Sequence, residues 1–218
     1  MPRREDILRF EEVPPPPGSS PWVVPPVRAT VEVVDHDPSW PAQAQQVARL
    51  VQDVLGPRAL RVEHVGSTAV PGLAAKPILD LDLTVADPDD EPTWLAPLQS
   101  AGFVLTVREP WWYGHRMLRG GRRPDDGAPG PGAPSRIPDG PAINLHVFGP
   151  DSPELVRHVV LRNWLRTSAE DRDLYAATKR AAAAAGGSTA TVMEYNARKE
   201  DVIREIYARA FSAAGFTD

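Results

Sequence analysis

Two aspartates separated by one leucine lie in the stretch of the chain that is richest in reactive side chains, RVEHVGSTAVPGLAAKPILDLDLTV, residues 61–85. Asp80 and Asp82 belong to an alternating run that predicts a β-strand, so both side chains are expected on one face. Two neighbouring carboxylates repel each other, and a hard divalent cation removes that cost. The pair therefore suits Mg²⁺, but an ordinary strand with an exposed polar face is the more frequent origin of such a pattern.

A Gly-Ser pair precedes the aspartates in the same stretch. Gly66 lets the backbone approach a ligand closely, and Ser67 and Thr68 offer amides and hydroxyls that could donate to phosphate. Alone, the pair indicates only a turn. Followed by about a dozen residues and then a strand with Asp-Leu-Asp, it forms a more specific pattern that shifts the interpretation towards phosphate chemistry.

Basic and aromatic side chains elsewhere could complete a phosphate site, although any single one is more often a solvated charge. His64 precedes the Gly-Ser turn and equally suits a strand residue bonded to backbone. Tyr195 and Lys199 are spaced i, i+4 and are expected on one helix face. The candidates for binding a nucleotide's phosphates are Lys76, Arg116, Arg157, Arg162, Tyr195 and Lys199.

Composition narrows the class of protein. A chain of 218 residues with 42% hydrophobic and 24% charged residues suits one globular domain with a substantial core. A net charge of −5 disfavours nucleic acid as a partner. The absence of cysteine excludes disulfides and fits a reducing compartment. No apolar run has the length of a membrane span and the N-terminus lacks a signal-peptide core, so we expect a cytoplasmic protein without membrane contact.

The elements that would position these residues are mixed in type. Residues 1–28 are proline-rich and predict an extended tail without helix or ladder. Residues 29–150 would form an α/β core with a flexible loop at 120–140, and residues 151–218 a helical region. Strands are predicted in 29–37 and in LRVEHV, ILDLDLTV, FVLTV, YGHRMLRG and AINLHVF. Helices are predicted over 39–56, 91–103, 152–168, 168–185 and 191–211. The predicted class is α+β.

The order of strand, Gly-Ser and Asp-Leu-Asp resembles the nucleotidyltransferase superfamily typified by DNA polymerase β. A closer resemblance, to the GrpB-like family, covers residues 31–210. The motifs that carry it are DPSWP, EHVGSTAVPGLAAKPILDLDLTV, NLHVF, LRNWLR, YAATKR and YNARKEDVIREIY. It implies a small nucleotidyltransferase-type mixed sheet flanked by helices, with a C-terminal helical bundle. It also implies that Gly66 and Ser67 hold phosphates and that Asp80 and Asp82 bind Mg²⁺ or Mn²⁺.

The residue expected to be the third metal ligand differs from the superfamily pattern. Superfamily catalysts usually carry a third carboxylate on a later strand, whereas AINLHVF offers Asn144 and His146. The GrpB-like pattern itself has histidine there. His146 would complete the metal site as a neutral imidazole or accept a proton as general base, and the alternative is a structural histidine.

The resemblance implies a metal-dependent nucleotidyltransferase that acts on a small-molecule or protein hydroxyl. Asp80, Asp82 and His146 would be its catalytic residues, with an NTP and the acceptor as partners. The alternative is a non-catalytic nucleotide-binding or accessory module, for example for a CoA-pathway kinase, which the missing third carboxylate favours. A phosphoester hydrolase is a further alternative.

Overall fold

A computed structural model describes residues 2–11, 13–26, 31–121, 135–186 and 192–217. Its centre is a five-stranded sheet with strand order β1-β2-β5-β4-β3. The strands are β1 Arg61–Val65, β2 Ile78–Thr84, β3 Val104–Glu109, β4 His115–Gly120 and β5 Ala142–Phe148. β2 and β5 run parallel and the other pairs antiparallel, so the sheet is mixed. The predicted α+β class is confirmed.

Helices cover both faces of this sheet. They are α1 Arg4–Leu8, α2 Trp40–Leu55, α3 Glu91–Ser100, α4 Pro153–Thr167, α5 Ala169–Gly186, α6 Val192–Ala197 and α7 Glu200–Ala213. α2 and α3 pack together on one side, and the C-terminal helices α4 to α7 lie on the other. None of the helices in the described ranges is both long and apolar enough to span a membrane.

The alternation in β2 separates the core from the opposite face. Leu79, Leu81 and Leu83 are fully buried in the hydrophobic core that α2 and α3 complete. Burial of each such leucine contributes about 2 kcal/mol before entropy is counted. Asp80 and Asp82 point to the other face, as predicted, because successive strand residues alternate in direction.

Strand register aligns further side chains on the face of Asp82. Asp82 pairs with His146 on β5, His146 with Met117 on β4, and Met117 with Val107 on β3. Paired residues on neighbouring strands project to the same side of a sheet. His146, Met117 and Val107 of this row line the sheet side of the candidate site.

The prediction of a strand over 29–37 is wrong. In its described part, the segment pairs with the rest of the protein through a single β-bridge. Val34 exchanges two backbone hydrogen bonds of 2.9 Å with Ala75, while residues 29 and 30 lie outside the described part of the chain. In an antiparallel ladder every second residue forms the hydrogen bonds, so the next donor after Ala75 would be Pro77. Proline has no N–H to donate, and the ladder stops in that direction.

The N-terminal segment departs from the predicted extended tail. Residues Arg4–Leu8 form α1, and Ile7 is buried against Tyr207 and Phe211 of α7. The proline run begins only at residue 14, so nothing within α1 opposes helix formation. The prediction that residues 1–28 contain no helix is therefore wrong for these five residues.

The last predicted helix, 191–211, is two helices that meet at Arg198 and Lys199. Lys199 leaves helical geometry, with φ −112° and ψ 1°, before α7 begins. Residue 191 lies outside the described ranges, as do residues 122–134 of the predicted 120–140 loop.

Candidate functional site

A cavity of about 490 Å³ lies between the face of the sheet that carries the aspartates and the C-terminal helices. We call it the central cavity. Its sheet side includes Asp80, Asn144 and His146, and the Gly66–Ser67 turn closes one edge. The elements predicted to form a phosphate cleft therefore do meet in one place.

Asp80 is the aspartate that opens into the central cavity. Its side chain is 31% exposed, and Asn144 Nδ2 donates to its Oδ1 at 2.8 Å. His146 Nε2 lies 3.9 Å from the same oxygen. Burial alone would raise the pKa of Asp80, but His146 and Asn144 hold it below its ordinary value. Asp80 is thus an ionised carboxylate at neutral pH.

Asp82 is closed off by a residue that sequence reasoning missed. Its side chain is 2% exposed, and His158 Nδ1 on α4 lies 3.1 and 2.9 Å from its two oxygens. Burial would lower the pKa of His158, but the charges of Asp82 and Glu154 raise it from its ordinary 6.5 to about 9. His158 is therefore an imidazolium that donates to Asp82. The signal was available, since Arg162 was a candidate and His158 precedes it by four residues on the same helix face.

This arrangement does not fit the predicted metal set of Asp80, Asp82 and His146. An imidazolium already stands against Asp82, where a divalent cation would have to bind. Among the residues that the structure describes, no group of three or more histidines and carboxylates is arranged to hold a metal ion. Asp80 is the member of the set whose carboxylate faces the cavity.

A hydrogen-bonded chain fixes the tautomer of His146. His115 Nδ1 lies 2.7 Å from Glu109 Oε2, and its Nε2 lies 3.1 Å from His146 Nδ1. Burial lowers the pKa of His115 to about 4, against the raising effect of Glu109, so the ring is neutral. A carboxylate accepts, which places the His115 proton on Nδ1 and makes its Nε2 an acceptor. His146 therefore donates through Nδ1, and Nε2 is the ring nitrogen that faces Asp80.

Three lysines meet around two tyrosine rings on the helical side of the cavity. Lys76 and Lys199 lie 5.0 and 5.4 Å from the ring centre of Tyr195, and Lys179 lies 4.4 Å from that of Tyr175. We call Lys76, Lys179 and Lys199 the lysine cluster. The chain has no other lysine among its 24 lysine and arginine residues. Every lysine of the protein therefore lines this one cavity.

Lys179 was not among the predicted site residues, and of the lysine cluster it has the least favourable surroundings for a charged amine. Its side chain is almost completely buried, and its Nζ has no hydrogen-bond partner in the described part of the chain. Burial lowers the pKa of Lys179 to about 6, and repulsion by Lys199 adds to the effect. Burial also lowers the pKa of Lys199. The rarity of lysine in an arginine-rich chain was the sequence signal that could have identified Lys179.

The Gly-Ser turn lies against Asp80, and its three residues have different roles. Gly66 has φ 67°, and a Cβ added there would come within 2.6 Å of Asp80 Oδ2, so only glycine fits. Ser67 lines the cavity. Thr68 is buried and donates to the Ile78 carbonyl at 3.1 Å, with His64 Nε2 at 3.0 Å, so its hydroxyl holds the turn. Burial lowers the pKa of His64 to about 4, which keeps that ring neutral.

Two predicted cations lie away from the cavity. Arg116 projects to the other face of the sheet, where its Nε donates to Glu91 of α3 at 2.9 Å. Arg157 is 1% exposed and donates to Glu154 and to backbone carbonyls of the N-terminal segment, including that of Ile7 at 2.8 Å. Alternation in β4 and the helical rotation of α4 separate these two side chains from the residues that line the cavity.

Arg162 does line the cavity, but as part of a local network. Its Nη1 donates to Glu63 Oε2 at 2.7 Å and to the His64 carbonyl at 2.8 Å. Tyr195 and Lys199 both line the cavity. The prediction that they share one face of a single helix is wrong, because the helix breaks between them and Lys199 immediately precedes α7. Of the predicted nucleotide-binding residues, the cavity thus gathers Gly66, Ser67, Lys76, Arg162, Tyr195 and Lys199.

The chain is similar in sequence and in fold to known proteins. A family model described as "GrpB protein" matches residues 30–209. A UPF0157 protein of Halalkalibacterium halodurans is 40% identical over 185 residues, which cover 85% of each chain. A dephospho-CoA kinase of Mycolicibacterium paratuberculosis is 46% identical over 79 residues, which cover 35% of this chain and 19% of that enzyme. The crystal structure of a GrpB protein from Enterococcus faecalis superposes with a TM-score of 0.67 and 26% identity, covering 84% of this chain and 99% of the other.

Proposed function

Because the chain belongs to the GrpB family, we propose that its central cavity binds a nucleoside triphosphate and transfers the nucleotidyl group to a hydroxyl of a small molecule or protein. The observation that carries this proposal is the lysine cluster, above all the buried amine of Lys179, for which the described residues supply no hydrogen-bond acceptor. Mg²⁺ or Mn²⁺ would accompany the triphosphate, and Asp80 is the carboxylate open to that ion.

A polyanion explains why three lysines converge in one place. Burying an amine without a hydrogen-bond partner costs free energy, and like charges nearby increase the cost of protonating it. A triphosphate supplies both acceptor oxygens and negative charge. Its binding would favour the protonated form of Lys179, because the negative charge of the phosphates offsets the repulsion between the two ammonium groups of Lys179 and Lys199. The Ser67 hydroxyl would add a neutral donor at the edge of the phosphate site.

The histidine chain supports a route for the proton of the acceptor. In the proposed reaction the acceptor oxygen forms a bond to the α-phosphorus, and the bond from that phosphorus to the bridging oxygen breaks to release pyrophosphate. The hydroxyl proton passes to His146 Nε2. His115 and Glu109 hold His146 in the tautomer that leaves this nitrogen free, and the lysine cluster offsets charge on the leaving pyrophosphate.

Calorimetric titration with each of the four common NTPs, in Mg²⁺ and in Mn²⁺, tests the binding step. Pyrophosphate release in the presence of a panel of polyols and of serine, threonine and tyrosine peptides tests the transfer. We expect saturable binding of at least one NTP and pyrophosphate release with one acceptor class. Absence of binding by every NTP with either ion would refute the proposed function.

A second candidate is favoured by the pairing of Asp82 with His158. If transfer requires a metal ion bound by both aspartates, the imidazolium over Asp82 excludes that ion, and the protein is a nucleotide-binding module without turnover. The segment that resembles dephospho-CoA kinases would then fit an accessory role beside a CoA-pathway kinase. NTP binding without pyrophosphate release under any acceptor condition would support this module, and release would exclude it.

A further inference from the structure

The central cavity has two chemically different ends. The lysine cluster, Ser67 and Asp80 form a charged end. The other end is walled by Val107 and Met117 of the sheet and by Pro21, Trp22 and Pro26 of the N-terminal segment, with Glu109 and Arg119 on the same two strands. A ligand that fills the whole cavity would place an anionic group at the first end and a flat group that packs on these apolar side chains at the second.

Trp22 reaches this wall because the N-terminal segment pairs with the free edge of the sheet. Val23 N–H donates to the Thr106 carbonyl at 3.0 Å, and Arg108 N–H donates to the Pro21 carbonyl at 2.8 Å. The two bonds flank an antiparallel bridge between Trp22 and Val107 of β3. Proline cannot extend such a ladder, so the pairing stays local and holds one tryptophan in place.

The bridge extends the row of side chains that contains Asp82, His146, Met117 and Val107. Since paired residues share a face, Trp22 projects to the same side of the sheet as His146. Three strand spacings separate the two residues, or roughly 14 Å at about 4.8 Å per spacing. Trp22 thus stands beyond an apolar floor, on the side of the cavity away from Asp80.

The segment is also fixed upstream. Ile7 is buried against Tyr207 and Phe211, and the Arg157 guanidinium donates to the Ile7 carbonyl and lies 4.5 Å from the ring centre of Phe10. The family model matches residues 30–209, so Trp22 lies outside the matched residues.

We propose that Trp22 is the platform on which the base of the bound nucleotide stacks, so that the N-terminal extension recognises the nucleoside while the lysine cluster holds the phosphates. This inference rests on the proposed nucleotide binding. Stacking of a base on an aromatic ring is tolerant of base identity, because every base has a π-face. The extension would then raise affinity for nucleotides over simple polyphosphates.

The test compares ATP with inorganic tripolyphosphate as titrants of the full chain. Trp22→Ala should weaken ATP binding by about tenfold or more, in line with the loss of one base-stacking contact. Tripolyphosphate binding should stay within about twofold of the wild type, since it has no base to stack. Trp22→Phe should recover part of the ATP affinity. Val23→Ala, a change at an exposed neighbour on the same segment, is the matched control and should alter neither titration.

The outcomes separate this inference from the proposed function. If ATP binds Trp22→Ala as tightly as the wild type, the base does not stack on Trp22, although nucleotide binding stands. If Trp22→Ala weakens both titrants equally, Trp22 supports only the shape of the cavity and the inference fails. If neither tripolyphosphate nor any of the four common NTPs binds the wild type, nucleotide binding itself fails.

Discussion

Asp80 and Asp82 stand two residues apart on one strand and one face, yet their surroundings are opposite. Asp80 opens into a cavity lined by three lysines, while Asp82 is sealed beneath an imidazolium. The strand makes the two carboxylates equivalent, and the C-terminal helices make them different. α4 places His158 over Asp82, and α5 to α7 bring Lys179 and Lys199 to the cavity beside Asp80. Chemistry in this fold therefore depends on how the helical half docks on the sheet.

The largest contrast is expected in nucleotidyl transfer. Asp80→Asn should lower kcat by about 10²-fold or more, because it removes a positioned charge from the reacting centre. Asp82→Asn should lower it less than about tenfold, since in this account its charge serves His158. Steady-state pyrophosphate release measures both. Asp53→Asn, at an exposed position on α2, is the control. Equal losses for folded Asp80→Asn and Asp82→Asn would break the contrast and favour a paired metal site.

The next effect concerns the lysine cluster. Lys179→Met should weaken NTP binding by about 10- to 100-fold, the usual cost of losing a charge-assisted bond. The same change should stabilise the free protein by about 1 kcal/mol, because it replaces a buried unpartnered amine with an apolar chain of similar length. Calorimetry and urea unfolding measure the two quantities. Arg180→Met, at the exposed neighbouring position, is the control, and unchanged NTP affinity in Lys179→Met would exclude Lys179 from the site.

A smaller effect is expected in the pH dependence of stability. The pKa of His158 is raised from 6.5 to about 9 in the folded protein. Its contribution to the free energy of unfolding is therefore complete below pH 6.5 and is lost as pH rises through 9. The expected loss in the free energy of unfolding is about 1–2 kcal/mol, after allowance for partial exposure. His158→Gln should remove this alkaline slope, as should Asp82→Asn.

Urea titrations of the wild type and of His158→Gln between pH 6 and 10 give this contribution as a difference, because Lys179, whose pKa is lowered from 10.5 to about 6, makes the wild type more stable as pH rises over the same range. His64 and His115 act in the opposite direction, because their pKa values lie near 4 in the folded protein and they destabilise it as pH falls below 6.5. An identical pH dependence of stability in the wild type and in His158→Gln would show that the cation over Asp82 is not this imidazole.

The smallest effect is a proton taken up on binding. Lys179 has a pKa of about 6 and is mostly neutral at pH 7.5, and a bound triphosphate should raise that pKa and favour the ammonium form. Titrations of NTP in buffers that differ in ionisation enthalpy should report uptake of up to about one proton, which Lys179→Met abolishes. No difference between buffers would contradict an anion bound at Lys179.

Local pattern predicted part of this site, and tertiary packing decided the rest. Alternation placed Asp80 and Asp82 on one face correctly, because that depends only on strand geometry. The same rule, counted along β4, would have put Arg116 on the opposite face from Met117. The spacing to Arg162 marked His158 as a candidate, but its pairing with Asp82 could not be derived, since that requires the position of α4 on the sheet. The bridge at Trp22 likewise depends on which edge of the sheet stays free.

The lysine cluster offers the most direct test of nucleotide binding in the central cavity. Pyridoxal phosphate, which carries both an aldehyde and a phosphate, followed by borohydride reduction, should label Lys179, whose amine is largely neutral at pH 7.5. Peptide mass spectrometry with and without saturating NTP locates the label, and the N-terminal amine serves as an internal control. We predict that NTP protects Lys179 and leaves the N-terminus labelled. Labelling of Lys179 that no NTP prevents would contradict a triphosphate site in this cavity.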